Sequence, residues 1–492
     1  MSHDSGGTAI QRLGARISRH VERWMPSPFL FAILLSYVVF AGGLALGNGP
    51  VEMVGFWNDG FWALLTFAMQ MVLILVTGYA LAYHPWVQRG VARLTAVPND
   101  GKQAVVLVGV IAMVVAWVHW GLGLIVGAVM AREMGRQAHR RGLAVHYPLL
   151  CVAGYMGMGL TWHWGLAASA PLLMNTPDNV FLQQGVVDGL VPVSQTILHP
   201  YTLTLTVLGI VYGAAMLYLL APPADDVSDI TEYVPESRLG EPRTAEDGGG
   251  IERDEGGAAT AADDDDPVYA EDPETAAESP GADTPGERIN RSSLLGGLIG
   301  LGGVLYVGSV FLTQGLDALS LDTMNFAFLF LGILLYTAPK RYQEEFYDAV
   351  TSTGGIILQF PFYAGIMGMM NSSGLSTVLA ETLVSVSTPE TFPAVAWITA
   401  GIVNVFVPSG GGEWTVIGPT VLNAAQELGI PIGQATVAYA VGDAHTNLFQ
   451  PFWALPLLGI TGMRARDMFG YAVTMLLLLV PFLALGLTLI PY

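Results

Sequence analysis

Cysteine is almost absent from this chain of 492 residues, since Cys151 is the only one. A single thiol excludes an internal disulfide, a zinc ribbon and a dithiol redox pair. Charged residues are also scarce, at 12% of the chain, whereas apolar residues make up 52%. So few charges cannot cover the surfaces of several water-soluble domains. Most of the chain is therefore predicted to lie in a lipid bilayer.

The acidic residues are gathered in one segment. Residues 225–287 hold 21 of the 40 acidic residues and 3 of the 20 basic ones. This composition, with repeated Gly, Pro and Ala and four consecutive aspartates at 263–266, predicts an acidic disordered cytoplasmic loop over 223–291. The acidity, with only two lysines in the chain, is typical of a salt-rich, halophile-like cytosol. No nucleic-acid partner is expected for so acidic a chain.

Apolar runs predict an all-α polytopic membrane protein. A helix needs about 20 apolar residues to cross the hydrocarbon. Uninterrupted runs lie near 28–47, 61–83, 201–220, 293–313, 324–338, 354–372 and 469–490, and interrupted ones near 147–174 and 433–460. Two further stretches, 103–131 and 392–425, have glycine or proline clusters at their centres. They are predicted to be re-entrant hairpins, because broken backbone at membrane depth occurs where protein or a watery cavity satisfies it.

Basic residues set the orientation, because cytoplasmic loops collect Arg and Lys. Five basic clusters lie at 12–23, 89–102, 132–141, 340–341 and 464–466. Placing all five inside makes hairpin 103–131 enter from the cytoplasm and hairpin 392–425 from outside. The expectation is about nine transmembrane helices in the cell membrane with a cytoplasmic amino terminus. Residues 1–27 are predicted to form an amphipathic interfacial helix.

The two halves of the sequence resemble each other. FLFAILLSY at 29–37 is similar to FLFLGILLY at 328–336, and Gln70 precedes Gly121 by 51 residues, as Gln359 precedes Gly410. The predicted topology turns the second copy upside down. The expected organisation is a first repeat over 28–222, a linker transmembrane helix over 292–314 and an inverted second repeat over 315–492. Inverted repeats with a site at the bilayer midplane are typical of secondary transporters.

The hairpin tips are candidate anion sites, since no Arg or Lys lies near the centre of the predicted spans. Helix amino termini and exposed N–H groups can hold a single carboxylate without a fixed cation. The second tip contains Pro408, which stops one half-helix, and three glycines that let backbone approach a ligand. A tight turn that only reverses the chain is the alternative. Candidate substrate-binding residues at the two tips are Asn404, Ser409, Gly410, Gly411, Gly412, Trp120, Gly121 and Gly123.

Polar residues at the breaks complete the candidate site. Further substrate-binding candidates are Thr161, His163, Ser169, Gln70 and Gln359, and the ion-coupling candidates are Asp443, Glu413, His445, Asn447 and His119. Intramembrane ionisable residues are costly and are functional candidates by default. Oxygen atoms near Asp443 and Asn447 suit Na⁺, whereas imidazoles and carboxyls suit H⁺. Packing or hydrogen bonding within the protein is the alternative for these residues, except for Glu413, whose alternative is a side chain that faces the extracellular vestibule. No cofactor and no firm metal site are predicted.

Several of these segments resemble the short-chain fatty acid transporter family of the ion transporter superfamily. They are FWALLTFAMQMVLILVTGYAL, ILQFPFYAGI, VPSGGGEW and QPFWALPLLGI, and the resemblance covers the chain apart from the acidic loop. It implies transport of monocarboxylates such as acetoacetate or butyrate with H⁺ or Na⁺ symport. It also implies a homodimer whose hairpin-bearing domain moves as an elevator.

Other classes of function remain as alternatives. An intramembrane enzyme is not expected, because there is no HExxH motif and no pair of midplane aspartates. A channel is less favoured than alternating access, since the two hairpins are predicted to face opposite sides. A dicarboxylate or other anion carrier of the same superfamily is the nearest competitor.

Overall fold

The computed structural model describes residues 28–235, 239, 284–405, 407–450 and 452–492. All regular structure within these ranges is helical. The predicted amphipathic helix at 1–27 and most of the acidic loop lie outside the described residues.

The described part of the first half, from residue 28 onward, contains ten α-helices. They are α1 Pro28–Ala45, α2 Pro50–Gly60, α3 Leu65–Tyr83, α4 Pro85–Leu94, α5 Gly101–Val118, α6 Trp120–Arg141, α7 Tyr147–Met156, α8 Ser169–Met174, α9 Val180–Gln183 and α10 Pro200–Leu220. A π-helical turn, Gly157–Thr161, and a 3₁₀ turn, Trp162–Trp164, separate α7 from α8. The predicted interruption near 147–174 is thus a short stretch of two non-α turns.

Among the residues described from 284 onward, two helices belong to the connection between the halves and nine to the second half. The connecting helices are α11 Pro285–Asn290 and α12 Ser293–Gln314. The second half consists of α13 Leu321–Tyr336, α14 Pro339–Val350, α15 Gly354–Ser372, α16 Leu375–Ser385, α17 Phe392–Asn404, α18 Gly410–Glu427, α19 Ile432–Thr446, α20 Leu455–Thr461 and α21 Ala465–Leu489. The bounds of α12 and α15 agree closely with the apolar runs that predicted them.

Six helical stretches in the described ranges are long and apolar enough to cross a membrane. Four shorter apolar helices accompany them, including α13 and α17. The chain therefore has the elements of a multi-pass membrane protein. The predicted total of about nine spans stays a prediction.

Both predicted hairpins are pairs of helices broken at their tips. α5 begins after Asp100, whose carboxylate accepts the N–H of Gln103. The chain breaks at His119, which has extended backbone and whose ring Nδ1 accepts the N–H of Leu122 to cap α6. α6 then runs beyond the predicted end at 131 to Arg141, where Gly142 ends it in the left-handed conformation. The arms of this hairpin pack closely because Gly123 lies against the backbone of Ala116.

The order of elements repeats between the halves. Helices α1 to α3 correspond in order to α13 to α15, and in each half a hairpin, a broken helix and a long terminal helix follow. The packing is reciprocal, since α3 packs on α13 and α14 while α15 packs on α1 and α2. The first arm of each hairpin packs on the broken helix of its own half. Every residue of α7 is buried, and most residues of α3, α18 and α19 are buried as well.

The start of the acidic segment is folded onto the helices, unlike the disordered loop predicted over 223–291. The carbonyl of Ser228 accepts the N–H of Tyr147 at 2.9 Å, and the N–H of Ser228 donates to Nδ1 of His146 at 3.0 Å. Ile230 begins a 3₁₀ turn and is buried. Apolar residues placed among the acids, such as Ile230 and Val234, explain why this part packs.

Candidate functional site

One small cavity lies where the two hairpin tips and the two broken helices meet. Its volume of about 20 Å³ is enough for about one water molecule. Its lining comprises Met71, Trp120, Met158, Trp162, Ser169, Ile356, Phe360, Ser409, Gly410, Gly411 and Trp453. The cavity thus joins the first tip through Trp120, the second tip through Ser409, and the break between α7 and α8 through Ser169.

The second tip is the amino terminus of α18. Ser409 caps the helix, since its side-chain oxygen accepts the N–H of Gly412 at 3.2 Å. The first N–H groups of a helix have no partners within the helix, and here they belong to Gly410 and Gly411, which line the cavity. The tip therefore offers N–H groups, the hydroxyl hydrogen of Ser409 and the positive end of the helix dipole to an anion.

Each of the three glycines at this tip lies against an aromatic ring. A Cβ atom would come within 2.5 Å of the Trp162 ring if added to Gly410, and within 2.6 Å of the Tyr363 ring if added to Gly412. The ring of Phe67 occupies the corresponding position at Gly411. Tyr439 fixes the tip as well, because its hydroxyl donates to the carbonyl of Gly410 at 2.9 Å.

Behind the tip lie three buried ionisable groups. Glu413, in the first turn of α18, and Asp443, in α19, are both fully buried and lie close enough to influence each other electrostatically, but no hydrogen bond joins their carboxyl groups. Nδ1 of the buried His163 lies 2.5 Å from Oδ2 of Asp443. The basic side chain beside these carboxyl groups is the imidazole of His163.

The hydrogen bonds of His163 identify its tautomer. The N–H of Ala170 donates to Nε2 of His163 at 3.2 Å, so Nε2 carries no proton. The proton of the neutral ring is therefore on Nδ1, facing Asp443. Trp162 stacks on this ring with a centroid separation of 4.2 Å, which fixes its plane next to the cavity.

Two asparagines join the second hairpin to the broken helices. Nδ2 of Asn404 donates to the carbonyl of Asp443 at 2.8 Å and to Oδ1 of Asn447 at 3.1 Å. Asn447 in turn donates to the carbonyl of Met158 at 3.1 Å. These amide hydrogen bonds fix the position of Asp443 relative to the π-helical turn that contains Met158. The described residues contain no group of three His, Cys, Asp or Glu side chains that could hold a metal ion.

Comparison with known proteins identifies the family of this chain. The family model for the short chain fatty acid transporter matches residues 9–490. The chain belongs to the short-chain fatty acid transporter family. The resemblance noted in the sequence is thereby confirmed, and the chain is a transporter rather than an enzyme.

Two curated members of the family are similar along their whole length. A protein of Escherichia coli (strain K12), named as a candidate short-chain fatty acid transporter, is 36% identical over 98% of this chain and 100% of its own length. A protein of the same name from Haemophilus influenzae (strain ATCC 51907 / DSM 11121 / KW20 / Rd) is 32% identical over 97% of this chain and 99% of its own length.

Two solved transporters share the fold. The Neisseria gonorrhoeae protein MtrF, described as one of a class of antimetabolite efflux pumps, is 14% identical with a TM-score of 0.54 over 96% of this chain and 97% of its own. The YdaH transporter of Alcanivorax borkumensis, described as having an unusual topology, is 15% identical with a TM-score of 0.51 over 94% and 98%. At such low identity the likeness concerns the fold of the family alone.

Several residues predicted for this family member's site lie outside the cavity lining. Gln70 donates to a carboxylate of the protein itself, Asp322, at 2.7 Å. Gln359 accepts the hydroxyl of Tyr363 at 2.8 Å, and Thr161 donates to the carbonyl of Met113 at 2.6 Å. Nε2 of His445 lies 2.9 Å from the carbonyl of Leu476, in α21.

The first tip contributes less to the cavity than predicted. Trp120 lines it, packed edge-on against Trp162 and Trp453. Gly121 instead lies close to the backbone of Ile74, where only a small residue fits, and the ring of His119 packs on Phe328.

The prediction did not include most of the apolar walls. The missed lining residues are Met71, Met158, Trp162, Ile356, Phe360 and Trp453. Two of them follow the equivalent glutamines Gln70 and Gln359 in the sequence, and Trp162 precedes His163. The sequence repeat could therefore have identified these lining residues, because they occupy equivalent positions next to the polar side chains that were chosen as candidates.

Proposed function

We propose that this protein is a secondary active transporter of short-chain fatty acids such as butyrate and acetoacetate, coupled to a cation. The observation that carries the proposal is the single cavity shared by both hairpin tips and both broken helices. The names of the Escherichia coli and Haemophilus influenzae relatives support the substrate class.

The lining of the cavity has the chemistry for one carboxylate and a short apolar chain, and the space of about 20 Å³ would have to widen to admit them. Its polar side is the second tip, with the Ser409 hydroxyl and the first N–H groups of α18, and Ser169 adds a further hydroxyl. The other walls are thioether, aliphatic and aromatic side chains, as in pockets that bury an apolar ligand. A second carboxylate would lie against these walls without a partner, which is costly. The lining therefore favours monocarboxylates over dicarboxylates.

The coupling ion is proposed to be a proton held by Glu413 and Asp443. Two neighbouring buried carboxyl groups cannot both stay ionised without a cation, so a proton on one of them is the simplest occupant. His163 faces Asp443 with the proton on Nδ1 and lies beside the cavity. Asn447, the partner expected for a sodium site, already uses both polar atoms of its amide on Asn404 and Met158. These contacts favour H⁺ over Na⁺ at this position.

The reciprocal packing of the halves supports an inverted repeat with alternating access. A contact of α3 with α13 and α14 that is mirrored by a contact of α15 with α1 and α2 is the pattern of a two-fold relation. We propose that the hairpins and broken helices move together as an elevator against α1 to α3 and α12 to α15. A homodimer in the cell membrane with a cytoplasmic amino terminus completes the proposal.

Flux into proteoliposomes tests the function and the coupling together. Uptake of labelled butyrate should be saturable and should exceed the passive entry seen in protein-free vesicles. The uptake rate should rise with an inwardly directed proton gradient and should not change with a sodium gradient or with excess succinate. Glu413→Gln and Asp443→Asn should each lose gradient-driven accumulation by ten-fold or more yet retain butyrate exchange. Glu427→Gln, at the exposed end of the same helix, is the matched control.

The outcomes separate the two parts of the proposal. Absence of saturable butyrate uptake would exclude the function. Uptake driven by sodium alone, or wild-type accumulation in both carboxyl variants, would exclude the proton pair and leave the transport function standing.

A further inference from the structure

A second cavity adjoins the candidate site, and one side chain belongs to both linings. This apolar groove of about 80 Å³ lies between α3 and α15 and includes Leu64, Ala68, Val72 and Phe360 in its lining. Phe360 also lines the smaller cavity at the hairpin tips. Its side chain is 3% exposed, so the ring is a buried wall between the two spaces.

The Phe360 ring is fixed by its neighbours. It packs on Phe67 with a centroid separation of 5.6 Å and edge-on against Tyr363 at 6.0 Å. These two rings are the ones that lie against Gly411 and Gly412 of the tip. The wall therefore stands directly behind the backbone proposed to hold the carboxylate.

The lining of the groove can bind an acyl chain but offers no polar side chain to a headgroup. Its ten lining residues are all apolar, and with tryptophan, phenylalanine, leucine, methionine and valine among them they offer an acyl chain dispersion contacts. A carboxylate held at the tip would direct the chain of a fatty acid away from Ser409 into the apolar walls. A chain longer than the closed cavity would meet the Phe360 ring before it could enter the groove.

We propose that Phe360 determines the chain length of the substrate by closing the site from this groove. This inference rests on the proposed transport of short monocarboxylates. Replacing the ring by a small side chain would join the two spaces and extend the site for medium-chain fatty acids. Each methylene that gains an apolar surrounding would improve apparent affinity roughly four-fold.

Competition with labelled butyrate uptake tests the inference in wild type, Phe360→Ala and Phe362→Ala. Phe362 is on the same helix and lines neither cavity. Its ring packs on Phe29, Trp57 and Phe61, and Phe61 lines the groove, so this variant disturbs the groove and leaves the Phe360 ring in place. Phe360→Ala should lower the inhibition constant of octanoate relative to that of butyrate by ten-fold or more, whereas Phe362→Ala should keep the wild-type ratio. Phe360→Trp should favour acetate and propionate over butyrate.

Several results would overturn the inference. The first is a Phe360→Ala variant that takes up butyrate with the wild-type order of chain lengths. The second is an equal change of that order in Phe362→Ala. If Phe360→Ala fails to fold, Phe360→Val replaces it in the experiment. A folded Phe360→Val that binds no fatty acid of any chain length would also contradict the proposed role of Phe360. Absence of saturable butyrate uptake by the wild type is a distinct result, because it removes the proposed function itself.

Discussion

At the second tip, three consecutive glycines are matched by three aromatic rings on other helices. The sequence predicted that these glycines let the backbone approach a ligand, with a tight turn as the alternative, and the structure adds that they pack against aromatic rings. The glycines are needed for close approach to the Trp162, Phe67 and Tyr363 rings, because all three lie within α18 and have ordinary helical backbone. The tip is therefore an interlocked surface, and its shape depends on the rings as much as on the glycines.

Gly411→Ala should reduce butyrate transport by more than ten-fold, because the added methyl group cannot fit beside the buried Phe67 ring without moving the tip. Gly302→Ala is the matched control, since Gly302 is helical in α12 and nothing lies within 4 Å of its added Cβ. Uptake rates at equal protein content measure both. The double variant Gly411→Ala/Phe67→Leu should regain part of the transport activity. A wild-type uptake rate in Gly411→Ala alone would show that the tip is not closely packed in the working protein.

Sequence reasoning found the polar residues of the site more easily than its walls. Ser409, Gly410, Gly411, Ser169 and Trp120 were predicted and line the cavity. Gln70 and Gln359 were predicted to line the cavity, but Met71 and Phe360, each one residue further along the chain, line it instead. A shift of one residue turns a helix by about 100°, and in helices that are apolar all round no periodic stripe reveals which face meets the site.

At the scale of elements, the breaks were predictable but their form was not. Glycines and polar residues at 157–169 showed that the helix after Tyr147 is interrupted. A π-helical turn followed by a 3₁₀ turn depends on tertiary contacts, such as the hydrogen bond from Thr161 to the carbonyl of Met113. The folded start of the acidic segment was missed for a similar reason, because the composition of 223–291 outweighed its few apolar residues.

The contact between this segment and α7 should depend on pH. Burial lowers the pKa of His146 from 6.5 to about 4, and its neutral ring accepts the N–H of Ser228. Because the folded pKa is depressed, the stabilisation is present above pH 6.5 and is lost as pH falls from about 6.5 towards 4. Hydrogen exchange at the Ser228 amide, corrected for its intrinsic rate, should speed up by roughly ten-fold or more between pH 7 and pH 4.5.

A His146→Gln variant provides the control for this pH dependence. The glutamine keeps an acceptor for the amide and does not titrate, so protection of Ser228 should be independent of pH in this variant. Equal pH dependence in wild type and variant would assign the effect to other groups.

At the scale of the whole molecule, the family and the all-helical fold followed from the sequence, and the structure adds the meeting of the two tips. The spacing of the repeats predicted two equivalent hairpins, and their equivalence stays a prediction. In the structure, α3 packs on α13 and α14, and α15 packs on α1 and α2. The sequence did not predict how unequal the hairpins are. The second tip presents backbone and Ser409 to the cavity, whereas the first presents the Trp120 ring and uses its glycines to pack on Ile74 and Ala116.

The central claim is that both tips enclose one short monocarboxylate. Substrate protection of single cysteines tests it most directly, and the single native thiol, buried Cys151, can be replaced by alanine to give a cysteine-free background. Cysteines at Ser409 and, separately, at Trp120 should react with a small thiol reagent more slowly in the presence of butyrate, with the same half-maximal concentration, while a cysteine at the exposed Ser385 should react at an unchanged rate. Butyrate protection at only one tip, or at neither, would contradict a shared site.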